Sequence, residues 1–64
     1  MTTYKISRSG RLVAFCDGKA ALRTFEWATR LQRGQEPLVG RPNISEIIES
    51  IEAMDYCVEK EAAQ

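Results

Sequence analysis

The sequence contains no histidine, only two cysteines and two prolines, and no long apolar run. Each shortage closes off a class of function. Without histidine the commonest general acid-base residue is missing, and no G-x-S-x-G, phosphate-loop or paired-carboxylate pattern stands in for it. Cys16 is followed by Asp17, but no residue is placed to act as a base, so a thiol nucleophile is not indicated either. Two cysteines with carboxylates at irregular spacings do not make a four-ligand zinc site. The chain therefore reads as a non-enzyme without metal or cofactor. Met1 to Arg8 lacks the apolar stretch of a secretory signal, and no segment reaches the roughly 20 apolar residues of a membrane span. The expectation is a cytoplasmic protein, away from membranes, whose two thiols stay free.

What is present is short and divided in charge. A chain of 64 residues buries only about 60% of the surface its unfolded form exposes, so a partner or a second copy would help to stabilise it. The net charge is zero, but residues 1–42 carry eight basic side chains against three acidic ones, and residues 43–64 carry one against six. The two segments thus bear charges of +5 and −5. Such segregation suits pairing of the two parts within or between subunits.

The periodicity predicts an α+β domain, a two-stranded antiparallel β-hairpin followed by two α-helices in the order ββαα. The hairpin is expected over residues 2–16, a helix over 18–33, a loop over 34–42 and a second helix over 43–60, as one small domain spanning 1–64. Ser9-Gly10 suits a two-residue hairpin turn with Arg8 opposite Arg11. Unbroken alternation would then set Tyr4 across from Phe15 and Ile6 across from Val13 on the core face, and turn Cys16 away from it. The second strand, apolar on both sides, is expected to be the better covered one. Asp17 and Gly34 bracket the first helix as cap and stop. Ala21, Leu22, Phe25 and Ala28 form its core stripe, Trp27, Ala20 and Leu31 extend the stripe on one flank, and Lys19, Arg23, Glu26, Arg30 and Arg33 form a polar strip. Asn43 and Glu46 resemble a capping box. Ile44, Ile47, Ile48, Ile51, Met54 and Val58 give the second helix one apolar side, interrupted by Asp55. The end of the chain from Lys60 is expected to fray.

Function is carried by surfaces in this reading. Trp27 and Leu31, with the strip Arg23, Arg30 and Arg33, are the candidate protein-interface residues, because the first helix is apolar over more of its circumference than so short a chain can cover. The partner is expected to be a protein, with a homodimer as the form that buries this surface. An accessory factor, or an inhibitor of a larger protein complex such as bacteriophages encode, would suit the size and lack of catalytic equipment. The alternative is nucleic-acid binding through Lys5, Arg8, Arg11 and Lys19, with the first-helix strip adding phosphate contacts. Zero net charge weighs against that alternative.

Overall fold

The computed structural model describes residues 2–61. In chain order it contains β1 (Thr3–Arg8), β2 (Arg11–Asp17), α1 (Gly18–Gln32), α2 (Ile44–Glu52) and β3 (Cys57–Glu61). The class is α+β, but the sheet has three antiparallel strands in the order β2-β1-β3, not two. Both helices lie on one face of it, so the molecule has two layers and its Cα trace is only 14 Å thick.

The hairpin forms where its turn chemistry requires. Ser9 and Gly10 both take positive φ, 53° and 77°, the combination that matches the twist of two antiparallel strands, and Arg8 faces Arg11 as expected. The register farther along differs from simple alternation. A bulge lets Ile6 face Ala14 while Ser7 faces Leu12, leaving Val13 extra, and Tyr4 consequently faces Cys16. An inserted residue reverses the face of everything beyond it. Cys16 therefore joins the core and Phe15 turns to the outer face, where it is 57% exposed. The better covered strand is β1, which has a neighbour on each side and buries Tyr4 and Ile6; β2 is an edge.

The second helix is shorter than its apolar spacing suggests, covering Ile44–Glu52 instead of 43–60. Asp55 is the reason. It adopts the left-handed conformation, φ 72°, which a short polar side chain tolerates and a continuing helix cannot contain. Its N–H closes onto the Glu52 carbonyl at 3.0 Å, and the chain reverses into β3, which pairs with β1 through Ile6 opposite Val58. The expected fraying end is thus partly a strand, with Lys60 and Glu61 inside it; residues 62–64 lie outside the described residues.

The core consists of Tyr4, Ile6 and Cys16 from the sheet, Leu22 from α1, and Ile47, Ile51 and Met54 from the α2 segment. Ala21, Phe25, Leu38, Ile44, Ile48, Tyr56 and Val58 are packed against its rim. At α2 the capping box closes both ways, with the Glu46 N–H donating to Asn43 Oδ1 at 2.8 Å and the Asn43 N–H to Glu46 Oε1 at 2.9 Å. Asp17 precedes α1 but makes no side-chain cap. Its carboxylate instead accepts a 2.7 Å hydrogen bond from the Thr3 hydroxyl, tying the ends of β1 and β2 together.

Candidate functional site

Three of the four charged residues of α1, Arg23, Glu26 and Arg30, face inward, and Lys19 in its first turn is exposed. Glu26 is fully buried, although its spacing with Arg23 and Arg30 had placed it in a solvated strip. The Ser50 hydroxyl donates to Glu26 Oε2 at 2.7 Å, the Leu38 N–H approaches both carboxylate oxygens at 3.3 and 3.4 Å, and Arg30 Nε lies 3.5 Å away. Arg30 also donates to the Ser50 carbonyl at 2.9 Å and to Gln35 Oε1 at 2.9 Å. One turn back, Arg23 donates to the Leu38 and Gly40 carbonyls at 3.1 and 3.4 Å. A buried carboxylate needs such partners, and here they fasten α1 to α2 and to the connecting loop. Arg23 and Arg30, named above as contact residues, are thus engaged within the chain.

With its polar side turned inward, α1 presents an uncharged face outward. At about 100° per residue, Leu31 sits about 180° around the helix from the buried Leu22, with Ala20, Thr24 and Trp27 within roughly 40° of it. All four are exposed; Trp27 is 51% and Leu31 48% exposed. Trp27 and Leu31 therefore lie together on the outward side, not on a flank of the core stripe. Ala28 borders them and is exposed as well. Trp27 and Leu31 thus share a half-exposed ridge without a charged residue.

The remaining basic residues divide. Arg8 and Arg11 are cross-strand neighbours at the turn end of the hairpin, and Arg33, just past α1, reaches the same end: the guanidinium carbons of Arg8 and Arg33 each lie 5.5 Å from the Tyr56 ring centroid. Phe25 meets that ring edge-on at 5.4 Å. Tyr56 was missed because the helical spacing of its neighbours hid the start of β3. Lys5 is separate, mid-strand on the outer face between Phe15 and Glu59, and Lys19 belongs to the first turn of α1 at the opposite end of the hairpin. The four residues Lys5, Arg8, Arg11 and Lys19 do not converge.

A second apolar patch lies on the outer face of the sheet, where Leu12, Val13 and Phe15 of β2 are about half exposed. Its sequence signal was present, since β2 is apolar on both sides. The bulge decides which side faces out.

A shallow, open depression of about 360 Å³ is lined by Arg30, Leu38, Glu46, Glu49 and Ser50, of which Arg30 and Ser50 are already bonded to Glu26. Among the described residues no three His, Cys, Asp or Glu side chains group so as to hold a metal ion. Cys16 and Cys57 are both free thiols. Burial, and after it the charge of Asp17, push the Cys16 thiol pKa up, which suppresses the thiolate. Among the described residues no helix is long and apolar enough to cross a membrane. Comparison with family models, curated proteins and solved structures finds no match.

Proposed function

We propose that this chain is a non-enzymatic protein-interaction module that works as a homodimer, serving as an accessory factor or an inhibitor of a larger protein complex in the cytoplasm. The observation that carries the reading is the outward face of α1, where Trp27 and Leu31 stand half exposed on a ridge without a charged residue. Two further features support it. The outer sheet face adds Leu12, Val13 and Phe15, and both patches sit on rigid elements that can present them without rearrangement. Arg23 and Arg30 contribute indirectly, by fixing the loop and α2 behind the ridge. Arg33 stands at its C-terminal end.

The test is light scattering across a range of protein concentrations. The native chain is expected to rise toward twice the chain mass, and the Trp27→Ala variant to stay at one. A native chain that remains monomeric throughout removes the homodimer.

A second reading, nucleic-acid binding, is favoured by one specific feature: Arg8, Arg11 and Arg33 gather around the turn end of the hairpin, and the only carboxylate within ion-pair distance of any basic side chain among the described residues is Glu26, beside Arg30. Phosphate contacts draw on such clusters, and they strengthen as salt is lowered. A mobility shift that fails to appear at low salt ends this reading.

A further inference from the structure

We propose that Arg8, Arg11 and Arg33 form a binding site for a phosphate group carried by a partner protein, as on a phosphorylated serine or threonine. The proposal rests on the protein-interaction reading above and names the chemistry of the partner. Three elements bring the arginines together. Arg8 ends β1 and Arg11 begins β2, held as cross-strand neighbours by the tight turn at Ser9 and Gly10. Arg33 is fixed at the end of α1, where its N–H bonds to the Thr29 and Arg30 carbonyls at 3.2 and 3.1 Å. The guanidiniums of Arg8 and Arg33 share the Tyr56 ring, each 5.5 Å from its centroid, so they cannot stand farther apart than twice that distance. Tyr56 is itself half-buried and braced edge-on by Phe25.

These three differ from the arginines inside α1. Arg23 and Arg30 direct their donors to carbonyls, to Ser50 and Gln35, and to the Glu26 carboxylate. Among the described residues, the side chains of Arg8, Arg11 and Arg33 neither hydrogen-bond to another group nor pair with a carboxylate. Glu36 and Asp55, close in sequence to Arg33 and Tyr56, are exposed and lie beyond ion-pair distance. Like charges gathered at one ring without a counter-charge attract an anion. A lone carboxylate fits one guanidinium, whereas a phosphate monoester brings a charge of about −2 and three strong acceptor oxygens, which suits three converging guanidiniums.

The surroundings select the carrier. All three arginines are exposed, and the depression at Arg30 and Ser50 lies elsewhere, so no wall encloses the body of a small molecule. A nucleic-acid strand spreads its charge over many phosphates, but the cluster is confined to one end of a chain of zero net charge, with Glu46, Glu49 and Glu52 exposed on α2 and Glu59 and Glu61 on β3. The Tyr56 ring, attended by two guanidiniums and by Phe25, is not free to stack on bases as single-strand binding requires.

The test is an NMR titration of the full chain with a short uncharged peptide bearing one phosphoserine, beside its unphosphorylated form. The phosphopeptide should move the Nε–H signals of Arg8, Arg11 and Arg33 and leave those of Arg23 and Arg30 in place, and should bind at least about tenfold more tightly than its control. The Arg8→Gln/Arg33→Gln double variant should lose that preference. Arg11→Gln, which removes no contact with Tyr56, should weaken binding at least about threefold and keeps the test valid if the double variant unfolds. Equal binding of the two peptides, or signals that move elsewhere, overturns the site. Tighter binding of a short oligothymidylate than of the phosphopeptide at the same salt overturns the carrier and assigns the cluster to nucleic acid. A monomeric chain that takes the phosphopeptide removes the homodimer and not this site, and a dimer that ignores it does the reverse.

Discussion

The two helices bury their faces by opposite chemistry. α2 is conventional, with Ile47 and Ile51 fully buried and Glu46, Glu49 and Glu52 exposed. α1 buries Leu22 together with Glu26, holds Arg23 and Arg30 half-buried against the loop, and leaves Trp27 and Leu31 outside. An apolar stripe is evidence of burial only when the opposite side of the helix has no better claim on the interior. In α1 it has one, because the loop after Gln32 and the α2 residue Ser50 supply backbone and hydroxyl groups that a carboxylate and two guanidiniums can satisfy. No buried side-chain polar atom among the described residues lacks a hydrogen-bond partner.

The contrast can be broken most severely at Glu26. Glu26→Ala strips Arg30, Ser50 and the Leu38 N–H of their shared acceptor, and removing one member of a buried pair costs about 3 kcal/mol, the low end of the usual range because Arg30 retains some exposure. A single core of this size supplies roughly 3–5 kcal/mol in all, so urea titration followed by circular dichroism should find the variant largely unfolded. Full retention of stability would mean that the polar seam contributes little and that α1 is held by Leu22 and Phe25 alone.

A smaller effect separates the helix starts. Asn43→Ala, at the closed capping box of α2, is expected to lower stability by about 1 kcal/mol. Asp17→Ala, where α1 begins without a side-chain cap, should lose less, since only the bond from Thr3 is removed. Equal losses in matched denaturation curves would show that the Thr3–Asp17 tie matters as much as a cap.

The smallest effect belongs to Cys16, under α1. The folded chain holds this thiol proton more tightly than the unfolded chain, whose cysteine has the ordinary pKa of about 8.5. The associated stabilisation is therefore complete below that value and is lost as pH rises through the raised folded value. Urea midpoints should fall as pH increases above about 8.5, and Cys16→Ala should flatten that part of the profile. In alkylation of the native chain, the exposed Cys57 should react first.

Much of this architecture is legible in the sequence. The Ser9-Gly10 turn, the helix after Gly18 and the Asn43–Glu46 box were each marked by local chemistry. What escaped notice depended on contacts distant in sequence. The bulge at Val13 leaves no mark on the pattern of β2, which is apolar on both sides, and β3 begins at Cys57, where helical and strand periodicity both fit. Trp27 and Leu31 were identified from composition as candidate contact residues. Their outward direction could not be read, because it depends on Glu26 finding Ser50 across the helix interface.

One backbone torsion has a larger consequence than its size suggests. Asp55 alone stands between a chain that would run on as a longer α2 and one that returns to hydrogen-bond along β1. Glycine there would relieve roughly 1–2 kcal/mol of left-handed strain and fasten the reversal more firmly. A β-branched residue would resist it, set the last strand adrift, and expose the flank of β1 that now carries Ile6 into the interior.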